Sequence, residues 1–191
     1  MKALKLGCGC IFIIIMFFAT LFIIALFVDV FKSRDRENLE DLNYRENYLA
    51  DTREIATKTA KRNGLFPSVM LAQSVLESNW GRSKLSKEYN NYFGIKEVKK
   101  GKGVIFETEE YVDGESGRYL QSFKKYSSKA ESFEHYAKLL TKTERYKDVK
   151  SANSYKEAAN AIMKAGYATD PKYANKIISV IETYNLQELD Q

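Results

Sequence analysis

The residues with the most chemical promise in this 191-residue chain lie in the stretch Ala72-Gln-Ser-Val-Leu-Glu-Ser-Asn-Trp-Gly81. Glu77 is the group that could do chemistry there, as a proton donor or acceptor. Pro67 suits the first turn of a helix, where a missing N–H costs nothing. Val69, Leu71, Ala72, Val75 and Leu76 then cover so much of that helix that the pattern predicts a largely buried element. Gln73 and Glu77 are four residues apart and share one face of it. A carboxylate near the end of a buried helix is costly unless it is paired, protonated or turned to a cleft. Burial raises its pKa toward the working range of a general acid. A plainer reading is a partly exposed Glu at the helix end, paired with Arg82 or Lys84.

A second carboxylate is sought in the one segment whose pattern changes to period two. From Val104 onward alternation begins, and Asp113-Gly114 to Gly117 is a hairpin turn signal, which predicts strands over roughly 104–112 and 118–126. Val104, Phe106, Thr108, Glu110 and Val112 then point one way, and Ile105, Glu107, Glu109 and Tyr111 the other. Glu110 shares its face with most of the apolar residues, which makes it the candidate partner of Glu77, with Glu109 next. The alternative is that all three glutamates decorate a solvated hairpin.

The remaining elements position these two. Asp51 or Thr52 can cap a helix running to about Arg62, stopped by Asn63-Gly64. Ser83 to Glu88 reads as a short helix with Leu85 inward. Ser128-x-x-Glu131 and Ser154-x-x-Glu157 are capping boxes, the first opening a helix with Phe133, Ala137 and Leu140 on one stripe. His135, the single histidine, reads as a surface residue. Gly166 stops the second of these helices, and Pro171 starts a last one whose Ile177, Ile178, Val180, Ile181 and Tyr184 should pack on the central helix.

Three separated motifs, LAQSVLESNWGRSKLS at 71–86, NNYFGIK at 90–96 and GYATDPKYANKI at 166–177, occur in an order that resembles the glucosaminidase family of peptidoglycan hydrolases, glycoside hydrolase family 73. The resemblance runs from about residue 51 to about 186. It implies a mainly α (α+β), lysozyme-like helical domain with a small β-hairpin lobe over a glycan cleft. It makes Glu77, in the motif Glu-Ser-x-Trp-Gly, the catalytic acid, and agrees with Glu110 as a second acidic residue just before an aromatic. It places Gln73, Trp80, Asn91, Tyr92, Tyr167 and Tyr173 at the substrate; Phe93, in the same cleft-lining loop, reads as a core residue on its own chemistry. The activity implied is endo-β-N-acetylglucosaminidase, with a muramidase, a lytic transglycosylase or a non-catalytic glycan-binding scaffold as alternatives.

Composition bounds the rest. Apolar residues make up 45% and aromatic residues 13%, enough for a core beside 29% charged residues. A net charge of +5 suits an anionic cell envelope, and no nucleic-acid motif accompanies it. No His/Cys cluster or acidic loop has metal spacing, so neither metal nor cofactor is expected. Cys8 and Cys10 are the only cysteines, so the rest of the chain uses no disulfide. Ile11 to Val28 is an apolar run without a charge, close to the length that spans a bilayer. The expected organisation is a cytoplasmic N-terminus (1–10), a transmembrane signal anchor (11–31), a charged, helical stalk (32–50) and the catalytic domain (51–191). The expected location is a single pass through the cell membrane, with the domain facing the wall and peptidoglycan strands as its partner. A membrane-protein partner of unknown identity fits such an anchor.

Overall fold

A computed structural model of the chain describes the backbone of residues 8–99, 101–112 and 115–191 and the side chains of residues 26–99, 101–108 and 117–191. No Gly or Pro interrupts residues 10–63, and helix α1 accordingly runs unbroken from Cys8 to Asn63. The expected cap at Asp51 or Thr52 is therefore absent: Thr52 lies inside the helix, and it is buried.

The chain divides into two compact units, Met1–Asn47 and Tyr48–Gln191, each described by itself. In the first, residues 32–47 are helical, as the charged stalk was expected to be, and Asp41 and Arg45 form an i,i+4 ion pair at 2.7 Å. Among the described residues no helix is long and apolar enough to cross a membrane. Residues 11–25, most of the expected span, lie outside the described side chains.

The second unit begins at Tyr48 rather than at residue 51, because Tyr48 and Leu49 are already buried in its core. Its other elements are α2 (Pro67–Ser78), α3 (Lys84–Tyr89), β1 (Val104–Val112), β2 (Glu115–Phe123), α4 (Lys129–Lys142), α5 (Lys147–Lys150), α6 (Tyr155–Lys164) and α7 (Tyr173–Thr183). Short 3-10 turns occupy Glu144–Tyr146 and Leu186–Asp190. The architecture is mainly helical with one antiparallel two-stranded sheet.

Helix α2 is the centre of this unit, buried from Pro67 through Val75 and packed against α6, α7 and the C-terminal turn. Phe66, at its N-cap, offers no side-chain acceptor. Asp190 substitutes from the far end of the chain, accepting from Ser68 N at 2.9 Å and from Ser68 Oγ at 2.6 Å. A carboxylate there also meets the positive end of the helix dipole. Both capping pairs act: Ser128 Oγ accepts from Glu131 N, and Ser154 Oγ from Glu157 N, each at 3.2 Å, while each Glu carboxylate accepts from the residue before the cap, Ser127 N and Asn153 N, at 2.8 Å. Ile177 and Ile181 of α7 are fully buried, whereas Pro171 precedes the helix, which starts at Tyr173.

The hairpin register differs from the expectation in its second strand. Val112 pairs with Glu115, leaving only residues 113–114 between the strands, so β2 starts earlier than residue 118 and ends at Phe123. Gly117, expected in the turn, lies in the ladder opposite Glu110.

Tyr48 joins α1 to α2 through its hydroxyl, which lies 3.0 Å from Ser74 Oγ and 3.3 Å from Ser78 Oγ. Tyr48→Ala removes a buried ring and this tie, and is expected to destabilise the unit by about 3–5 kcal/mol in chemical denaturation. Loss below 1 kcal/mol, about the value of an exposed side chain, would place the start of the unit after Tyr48.

Candidate active site

Glu77 sits one residue before the end of α2, where the helix is terminated by three successive left-handed residues: Asn79 (φ 49°), Trp80 (φ 58°) and Gly81 (φ 72°). Such a run costs free energy, most of all at the bulky Trp80. It is sustained by local bonds: Trp80 N to Val75 O (2.9 Å), Gly81 N to Ser78 Oγ (2.7 Å) and Ser83 N to Ser78 O (2.9 Å). Gly81 is required doubly, since a Cβ there would also come within 2.9 Å of the Tyr48 ring.

The carboxyl of Glu77 is part-buried in the wall of an open cleft of about 1070 Å³. The floor and walls of this cleft include Leu85, Phe93, Gly94, Phe106, Leu139, Arg145 and Tyr167. The Tyr173 hydroxyl donates to Glu77 Oε1 at 2.5 Å. The other oxygen, Oε2, faces Gly94, where a Cβ would stand 3.4 Å from it. Burial pushes the Glu77 carboxyl above its ordinary value, and the bond from Tyr173 opposes that rise. Burial, with the Glu77 charge beside it, pushes the Tyr173 phenol far up, so it stays a proton donor.

The structure brings some of the expected site residues to the cleft and not others. Glu77 and Tyr167 line it; the Tyr167 hydroxyl donates to Phe93 O at 2.9 Å, and its ring stacks on Tyr173 at 5.9 Å. Tyr173 and Gln73 lie beneath Glu77. Gln73 has no exposed surface, and its Nε2 donates to the Tyr173 hydroxyl at 3.0 Å while its Oε1 accepts from Tyr136. This enclosed amide reaches Glu77 through Tyr173 and does not open to the cleft. Asn91, 1% exposed, is likewise a staple: its Nδ2 donates to Ile95 O (2.9 Å) and Lys124 O (3.0 Å), tying the loop after α3 to the end of β2. Trp80 is buried against Tyr48 and Tyr184, and Tyr92 packs on Phe133 with Lys129 Nζ over its ring. Those two shape the scaffold behind the wall. Phe93 is in the core, as expected, stacked on Tyr136 at 4.0 Å.

On the hairpin, the described part of β1 alternates as expected: Val104, Phe106 and Thr108 are part-buried, and Ile105 and Glu107 are exposed. Glu110 stands in register opposite Gly117, and its side chain, like that of Glu109, lies outside the described residues. Glu107 reaches the cleft rim, 3.7 Å from Arg118.

Sequence reasoning missed Tyr136 and Arg145. Tyr136 follows Phe133 by three residues on the apolar stripe of α4, and a tyrosine buried there needs a partner for its hydroxyl. Arg145 Nη2 donates to the Tyr146 hydroxyl at 2.7 Å and puts a cation on the cleft wall. His135, read as a surface residue, is half-buried, with Nδ1 2.6 Å from the Tyr126 hydroxyl. Among the described residues no group of three or more His, Cys, Asp or Glu could hold a metal ion.

The profile of a family described as mannosyl-glycoprotein endo-beta-N-acetylglucosaminidase, Glucosaminidase for short, matches residues 53–186. The chain belongs to the glucosaminidase family. Its glucosaminidase segment is 42% identical over 132 residues to the exo-glucosaminidase LytG of Bacillus subtilis, covering 66% of this chain and 47% of LytG. A Lactococcus lactis protein named as a probable N-acetylmuramidase is 39% identical over 155 residues, 78% of this chain and 35% of that protein. The chain thus spans about a third to a half of the length of these relatives. The catalytic domain of the autolysin Auto from Listeria monocytogenes superposes with a TM-score of 0.67 at 35% identity, over 81% of this chain and 97% of that domain. The chain thus has the lysozyme-like glucosaminidase fold, and the family's match lies within the second unit.

The raised pKa of Glu77 has a consequence for stability. Between the ordinary value of 4.5 and the raised folded value, the folded chain keeps a proton that the unfolded chain has released. Stability therefore falls as pH rises through that window and stays at the lower level above it. Glu77→Gln keeps an acceptor for Tyr173 and removes the titration. It should be more stable than wild type at pH 7, with the gain vanishing below the ordinary carboxyl range; thermal melts across pH measure both. Equal melting temperatures at every pH would show that Glu77 is not desolvated.

Proposed function

We propose that the chain is a membrane-anchored endo-β-N-acetylglucosaminidase that hydrolyses peptidoglycan glycan strands. The observation that carries this reading is Glu77 in the cleft wall, buried enough to raise its pKa and held at Oε1 by Tyr173. Oε2 then gives its proton to the glycosidic oxygen as the bond to GlcNAc breaks. The names of the relatives support peptidoglycan as the substrate class, since they include an exo-glucosaminidase, an N-acetylmuramidase and an autolysin. Opposing charge at the oxocarbenium centre comes from Glu110 acting on water, or from the substrate's own N-acetyl group. The anchor, residues 11–31 with the apolar run Ile11 to Val28, holds the enzyme at the outer face of the membrane, which raises its effective concentration on nearby glycan.

The relatives divide over which side of the disaccharide is cut, so the products are the primary test. Digests ending in reducing GlcNAc support the reading, and reducing or 1,6-anhydro MurNAc overturns it in favour of a muramidase or transglycosylase. Glu77→Gln is expected to lower turnover about a hundredfold or more while leaving the fold intact. Turnover near wild type with an unchanged fold would remove Glu77 from the chemistry.

The second carboxylate has its own test. If Glu110 activates water, Glu110→Gln lowers kcat strongly and Glu109→Gln only slightly, because position 109 alternates to the other face; Glu107→Gln, at the cleft rim, is the third variant compared. A dominant effect at Glu109 would shift the role by one residue. No effect at any of the three would assign the charge stabilisation to the substrate's N-acetyl group.

A further inference from the structure

Behind Glu77 runs a chain of buried hydrogen bonds that joins three helices. Tyr136 of α4 donates to Gln73 Oε1, Gln73 Nε2 of α2 donates to Tyr173 at 3.0 Å, and Tyr173 of α7 donates to Glu77 Oε1 at 2.5 Å. Tyr136 and Gln73 have no exposed surface, and Tyr173 is 5% exposed. Neither Tyr136 nor Gln73 touches the cleft, so their polar groups are not there to meet substrate.

We propose that Gln73 and Tyr136 are positioning residues that fix the sense of the Tyr173–Glu77 hydrogen bond and so keep the transferable proton on Oε2, the cleft-side oxygen. This rests on Glu77 being the general acid. A phenol has one proton to give, and a primary amide has a donor end and an acceptor end. Among the described residues Gln73 is the one partner of the Tyr136 hydroxyl. With Tyr136 donating, the amide oxygen is engaged and its NH2 is turned toward Tyr173. The lone pair of Tyr173 is then occupied, and its proton goes to Glu77 Oε1. An oxygen that accepts so short a bond is the poorer place for the acid proton, which leaves Oε2, beside Gly94. Reversing the amide would turn NH2 toward Tyr136 and leave that hydroxyl's proton without an acceptor where neither residue has exposed surface, which is costly. Polarisation along the chain strengthens the last bond further.

The decisive variant is Tyr136→Phe, because it keeps the ring that stacks on Phe93 at 4.0 Å and deletes only the hydroxyl. Freed from Tyr136, the Gln73 oxygen can take the Tyr173 proton away from Glu77. The carboxylate then loses a stabilising donor, so its pKa rises. The rate is lost as pH rises through that pKa, so the alkaline limb of the kcat profile moves to higher pH. In the full chain, kcat on soluble glycan fragments is expected to fall on the order of tenfold with KM little changed, because the acid is misplaced and glycan contacts are not. The double variant Gln73→Met/Tyr136→Phe removes both partners and leaves no orphaned group between them. With no amide oxygen left to compete, the Tyr173 proton returns to Glu77, so the double variant should recover kcat and bring the alkaline limb back toward wild type. A Tyr136→Phe enzyme within about twofold of wild type, with an unmoved alkaline limb, overturns the proposal, since a lost positioning bond should cost more. A double variant whose kcat and alkaline limb stay where Tyr136→Phe leaves them also overturns it, since removing the competing oxygen would then have restored nothing. Glu77→Gln run alongside separates the two levels: if it retains turnover, the general-acid reading itself fails; if it is inactive while Tyr136→Phe is normal, only the relay fails.

Discussion

One hydrogen bond, from the Tyr173 phenol to the Glu77 carboxyl, sets the demands that the rest of the unit meets. The two residues are 96 positions apart, so the bond exists only if α2 and α7 pack in a single way. Ile177 and Ile181, both without exposed surface, provide that packing one and two turns along α7 from Tyr173. The physical tension is between burial, which raises the carboxyl pKa, and the phenol, which restrains the rise. A group fully relieved by its partners would stay ionised at neutral pH, and one without partners would be free to turn. Glu77 stands between the two, with one oxygen held and one left to the cleft.

The second demand falls on the backbone. Ending α2 one residue after Glu77 takes three consecutive residues at positive φ, two of which are not glycine. Strain of this kind persists only where the surroundings over-determine it. Those surroundings include the Tyr48 hydroxyl on Ser74 and Ser78, the Ser78 hydroxyl on Gly81 N, and the Trp80 ring between Tyr48 and Tyr184. The aromatic residue of the Glu-Ser-x-Trp-Gly motif therefore works from behind the wall. It stabilises the turn that terminates the helix carrying Glu77.

Much of this was legible in the sequence, and what was not has identifiable causes. The buried α2, the stop at Gly64, both capping boxes and the first strand follow from local signals such as Pro67, Ser128 with Glu131, and the alternation from Val104. Tyr48 and Leu49 belong to the core of the second unit, yet they sit at the end of a charge-dense segment and look like stalk until α2 is packed against them. The second strand was displaced because Gly117 reads as a turn residue and is a ladder residue. At the site, motif membership identified Gln73, Trp80, Asn91 and Tyr92 without saying whether each faces the cleft or supports it. That distinction depends on which side of each residue the other helices cover. Tyr136 was invisible as a site residue for the same reason: its partner is 63 positions away.

The two walls of the cleft differ in how firmly they can hold a functional group, and this bears on the chemistry. Glu77 stands on a helix buried along most of its length and locked through Tyr173. The opposite wall is a two-stranded hairpin, a form that is marginal without outside support. That support is concentrated at its base, where Asn91 bridges Ile95 and Lys124 and where Glu97 pairs with Lys124 at 2.9 Å. Further out, Ile105 and Leu120 are 67% and 75% exposed, so the outer face packs against nothing among the described residues. A covalent nucleophile must be held tightly and close to its acid, whereas a base acting through water tolerates a wider and looser separation. A carboxylate carried on the hairpin, or no protein carboxylate at all, therefore fits this architecture better than a nucleophile paired with Glu77.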